Sequence, residues 1–158
     1  MKLPEITIAT SVRYGNYKQH YQNALSFVET ISKKFDEICN YINLPRKLFI
    51  NIRPIRGAYG RAFYLTEPCT IAGRDYMVEI DARQSRDLFE DSLLHELVHI
   101  EQFYEGRLDG GKPGHFKWNK KDISFITASF EEYNNLPWER EANERAKILK
   151  KVIFSIKN

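Results

Sequence analysis

Two histidines four residues apart on a strongly periodic stretch limit the folds open to this chain. The segment is His95-Glu96-Leu97-Val98-His99, and around it Phe89, Leu93, Leu97, Ile100 and Tyr104 recur at helical spacing. Ser85 offers an N-cap and Gly106 a stop, so the pattern predicts a helix over about 86–105. A helix turns about 100° per residue, which stacks His95 and His99 on one face and lets both offer imidazole nitrogens to one metal ion. Glu96 lies beside that face, where a carboxylate reaches a metal-activated water without itself binding the metal. A sequence of this form arises by chance in roughly one chain of this length in several hundred, and the helical setting makes accident rarer.

The rest of the chain supplies material for a small core. Tyr21, Leu25, Val28, Ile31, Phe35, Ile38 and Ile42 mark an amphipathic helix over about 18–43, stopped by Leu44-Pro45. The period then changes to that of strands, with Leu48, Ile50 and Ile52 alternating with Phe49, Asn51 and Arg53. Further strand-like runs cover Ala62–Leu65 and, after Gly73, Tyr76–Asp81, and their short connections predict a mainly antiparallel sheet. Gly106 to Lys121 is rich in glycine and basic residues and reads as a surface loop or loosely held hairpin, while Asp122–Tyr133 carries no clear period. Pro137 suits the first turn of a last helix, whose stripe is Ala142, Ala146, Leu149, Val152, Ile153 and Ile156.

At 158 residues, with 42% hydrophobic and 28% charged residues, the chain fits one globular domain over 1–158 and excludes two large ones. A net charge of +3 does not indicate a nucleic-acid or membrane partner, although it leaves nucleic acid open. No stretch approaches the roughly 18 apolar residues of a membrane span, and no signal-like apolar segment opens the chain, so a cytoplasmic protein is expected. Cys39 and Cys69 form no CxxC unit, which fits a reducing compartment.

The helix-borne His95-Glu96-Leu97-Val98-His99 resembles the motif of the zincin metallopeptidases. That resemblance implies an α+β, minimal zincin-like fold: an N-terminal helix, a small sheet, the motif helix and a C-terminal helix. It implies zinc-dependent hydrolysis of peptide bonds in a protein or peptide substrate, with His95 and His99 on Zn²⁺ and Glu96 as general base. One position departs, since Glu101 stands where that superfamily commonly has an apolar residue. The metzincin branch would need Gly and His where the chain has Gln102 and Glu105.

Catalytic zinc takes three protein ligands, and the third decides the branch. Glu139-Arg140-Glu141-Ala142-Asn143 looks like the E-x-x-A-N element of ImmA-like peptidases and the E-x-x-A-E element of lethal-factor-like gluzincins. In that match Glu139 binds zinc, Ala142 lets the two helices approach, and Asn143 hydrogen-bonds a ligand imidazole. Glu141, about 200° round the same helix, competes for the ligand role. The runner-up is His115, which would place the chain with SprT-like, DNA-associated proteases. There the usual HGxxF/W element is replaced by His115-Phe116-Lys117-Trp118, and no zinc ribbon is present.

Lethal-factor-like enzymes also place a tyrosine several residues before the ligand Glu, which makes Tyr133 the candidate oxyanion donor, with His115 as its substitute. Zincins set an edge strand just before the motif helix to pair with extended substrate, a role that falls here to Tyr76–Asp81. The rival from another class is a catalytically inactive zincin-like module that binds a partner or single-stranded DNA through the basic, aromatic run Lys112–Lys121.

Overall fold

The computed structural model describes residues 3–14, 18–65, 74–110 and 114–154. Cys69, Gly73 and Ile156, and residues 111–113 of the glycine-rich run, lie outside the described residues. In chain order the elements are β1 (Glu5–Ile8), α1 (Thr10–Tyr14), α2 (Lys18–Cys39), β2 (Leu48–Arg53), β3 (Gly60–Leu65), β4 (Asp75–Asp81), α3 (Arg86–Tyr104), β5 (Leu108–Gly110), β6 (His115–Trp118), β7 (Lys121–Ser124), α4 (Phe130–Asn134) and α5 (Pro137–Ile153). The class is α+β. Among the described residues no helix is long and apolar enough to cross a membrane.

The main sheet runs β1-β2-β4-β3 and is mixed rather than mainly antiparallel. β1 pairs parallel with β2, β2 pairs parallel with β4, and only β3 runs antiparallel, against β4. The cause is β1, whose short Glu5-Ile6-Thr7-Ile8 alternation gives little warning in the sequence. From its end the 22-residue α2 carries the chain back to the start of β2, the helical crossover that parallel neighbours require. A second correction follows from the same order. β4, expected at an edge beside the motif helix, is interior, and among the described strands β3 is the edge on that side because it folds back over β4.

One face of the main sheet supplies Leu48, Ile50, Ile52, Tyr76, Val78 and Ile80 to the core, where they meet α2 and α3. On α2 the buried residues are Ala24, Phe27, Ile31, Phe35 and Ile38, while Leu25 of the expected stripe is 40% exposed. The helix also ends at Cys39, with turns rather than helix carrying Ile42 into the core. α3 follows its expected bounds closely. Ser85 caps it by accepting a hydrogen bond from Leu88 N, and Gly106 leaves it at φ +71°. Leu94, Val98 and Phe103 are buried beside the expected Phe89, Leu93, Leu97 and Ile100, so α3 is enclosed on nearly every side, as a central helix should be.

The glycine-rich run after α3 is more ordered than a loop. β5, β6 and β7 form a three-stranded antiparallel sheet that reaches into the region without clear period. α4 then starts on a capping box, in which Ser129 and Glu132 bond reciprocally to each other's backbone. Pro137 opens α5, which packs on α3 through Ala142, Ala146, Leu149 and Ile153, while Val152 faces outward.

Candidate metal centre

α3 and α5 bring three potential donors together. His95 and His99 face each other with their Nε2 atoms 3.0 Å apart. Glu139, in the first turn of α5, sets Oε2 at 3.2 Å from His95 Nε2 and Oε1 at 3.3 Å from His99 Nε2. Donors bound to one zinc in a tetrahedron at about 2.0–2.1 Å lie roughly 3.3 Å from one another, so these separations fit such an ion. Two imidazoles and a carboxylate are also a donor set that zinc accepts. Among the described residues this trio forms a group able to hold a metal, with ligand atoms within 4.8 Å of one another.

The alternatives fall away for geometric reasons. Glu141 turns from the trio and pairs with Arg107, whose Nη1 lies 2.7 Å from Oε2. His115 is exposed on β6, paired in register with Ser124, and does not join the donor group. Its place on a strand of the second sheet fixes that orientation, and its neighbour Phe116 faces the cleft instead.

Burial and charge act strongly on these groups. Burial disfavours a charged His99, yet its hydrogen bond to Glu139 and the charges of Glu96 and Glu139 outweigh this and raise it to about 9. Glu139 is 6% exposed; burial pushes its carboxyl up, and the bonds to His95 and His99 reverse that and hold it at about 2. Glu96, one residue along from His95, is buried against Gly60 of β3. Burial raises its pKa above the ordinary carboxylate value.

Tyr133 also reaches the site. Burial, then the charge of Glu139 and a hydrogen bond to its carboxylate, raise the phenol's pKa and keep it protonated. Tyr133 is 37% exposed, its ring packs edge-on to Phe125 at 5.8 Å, and Phe125 meets both Phe116 and Trp138. The second sheet therefore anchors the tyrosine through an aromatic cluster and holds the start of α5. His95, Glu96, His99, Glu139 and Tyr133 line a cleft of about 1230 Å³ between β3, α3, α4 and α5.

Asn143 lines the cleft, but the residue that meets the His99 imidazole is another. Gln102 Oε1 lies 2.8 Å from His99 Nδ1. Gln102 is fully buried, three positions past His99 and so on the same face of α3, a spacing present in the sequence from the outset. Glu101 is a buried carboxylate bonded to Arg145 of α5 and to Asn43 N at 2.7 Å, so an ion pair joins the two helices.

The chain matches no protein-family model, no curated protein and no solved structure.

Proposed function

We propose that the protein is a zinc-dependent peptidase, on the observation that His95, His99 and Glu139 converge beside a buried Glu96 in an open cleft. Zinc held by those three side chains would supply a Lewis acid that makes water nucleophilic near neutral pH. Glu96 takes the proton from that water and returns it to the leaving amine, a role its raised pKa suits. Tyr133, protonated and close to Glu139, donates a hydrogen bond to the oxygen on which negative charge develops. The substrate is an extended protein or peptide segment lying along β3, whose outer edge is unpaired among the described strands.

A purely structural metal site has no use for a buried, ionisable Glu96 next to the ligands, which supports the catalytic reading over a binding module. The test pairs metal content with turnover. About one zinc per chain is expected in wild type and in Glu96→Gln, with loss in Glu139→Ala, and cleavage of an unfolded protein only by wild type. Zinc-replete Glu96→Gln that cleaves at the wild-type rate overturns the mechanism.

A further inference from the structure

We propose that Gln102 is a positioning residue for the metal, because it dictates which nitrogen of His99 is left free to bind. The inference rests on the metal-centre reading above and adds to it the device that orients a ligand. Gln102 is 0% exposed, and its amide orientation is decided by its surroundings. Nε2 lies 3.1 Å from Trp138 O and 2.9 Å from Glu141 Oε2. Carbonyl and carboxylate oxygens only accept hydrogen bonds, so the amide nitrogen must point at α5. Oε1 is thereby aimed at His99 Nδ1, 2.8 Å away.

An amide oxygen cannot donate, so Nδ1 keeps its proton. A neutral imidazole has one lone pair available, and that leaves it on Nε2, the nitrogen that faces His95 and Glu139. Turning the amide round would set its NH₂ against a protonated Nδ1 and its oxygen against two acceptors. Glu141 is in turn fixed by Arg107, whose Nη1 lies 3.0 and 2.7 Å from its two oxygens and whose Nε lies 2.8 Å from Glu105 Oε2. The glutamate that fails as a ligand therefore secures the amide that orients one. The turn leaving α3 and the first turns of α5 both act on His99 through this chain of bonds.

Two measurements on the full chain test it: zinc affinity by competition with a chromophoric chelator, and ¹⁵N spectra of the histidine rings in the zinc-loaded protein. Wild type should show His99 protonated at Nδ1 and metal-bound at Nε2. Gln102→Leu, close in volume and apolar, should weaken zinc binding about 10- to 100-fold. The exchange variant Gln102→Glu with Glu141→Gln returns an acceptor to Nδ1, at the cost of a carboxylate oxygen facing Trp138 O, and should recover part of that loss, which a space-filling role for Gln102 would not predict. Gln102→Leu with zinc affinity within about twofold of wild type overturns the proposal. So does a zinc-loaded wild type with metal on Nδ1, a result that needs no variant to fold. Wild type that takes up no zinc removes the metal-centre reading itself, and the proposal with it, and is distinct from a zinc-loaded wild type whose variant is unaffected.

Discussion

Gly60 and Glu96 are in such close contact that a Cβ on Gly60 would lie 2.9 Å from Glu96 Cγ and 3.1 Å from Oε1. The backbone of the edge strand is thus one wall of the pocket around Glu96, the proposed general base, and any side chain at 60 must move that carboxylate. Gly60→Ala should lower turnover about a hundredfold, as an ångström-scale misplacement does, while leaving zinc content unchanged. Steady-state kinetics beside elemental analysis checks this, and wild-type turnover in Gly60→Ala would show that the carboxylate has room to spare.

Tyr133→Phe separates the hydroxyl from its ring. The ring's packing on Phe125 survives the change, so the fold should hold, and kcat should fall about 10²- to 10³-fold with KM little altered. A kcat that stays within a few-fold of wild type would remove Tyr133 from the chemistry and leave it as a neighbour of Glu139.

The charges at the centre make the metal-free protein pH-sensitive on both sides. His99, raised from 6.5 to about 9, contributes stability that is complete below its ordinary value and is lost as pH rises through about 9. Glu139, lowered from 4.5 to about 2, contributes stability that is complete above its ordinary value and is lost as pH falls through about 2. Calorimetry in chelator should find the melting temperature highest between those ordinary values and falling on either side. Zinc must also displace the proton of His99, so its affinity should rise about tenfold per pH unit until the pH nears about 9. A zinc affinity that does not change with pH over that interval would contradict the pairing of His99 with Glu139.

Glu101 and Arg145 form the charged tie between α3 and α5. Glu101→Leu leaves Arg145, with a side chain 29% exposed, without that partner, and should cost about 3 kcal/mol, the low end for a broken buried pair. Adding Arg145→Leu should recover most of it, apart from about 1 kcal/mol for the Asn43 N–H that Glu101 also accepts. Urea unfolding of the single and double variants measures both; equal losses in the two would place the stabilisation elsewhere.

Much of α3 was legible because its information is local. Ser85, Gly106 and the period from Phe89 to Ile100 sit within one element, and each acts through bonds or packing along that element. The start of α5 at Pro137 is legible for the same reason. β1 was hidden, since four residues of alternation are too few to stand out and its pairing partner lies over forty positions away. The second sheet was hidden too, because its short strands are set among glycine and lysine residues that usually mark loops.

The sequence alone determined that His95 and His99 share a helix face with Glu96 beside them, because helical geometry fixes the relation of residues one and four apart. Tertiary structure decided what faces that pair. Glu139 rather than Glu141 or His115 joins it, since the packing of α5 on α3 rotates one glutamate inward and gives the other to Arg107. Gln102 rather than Asn143 holds His99, and β3 rather than β4 forms the edge beside Glu96. Each of these depends on contacts between residues distant in the chain, whose rotation and strand order no local period encodes.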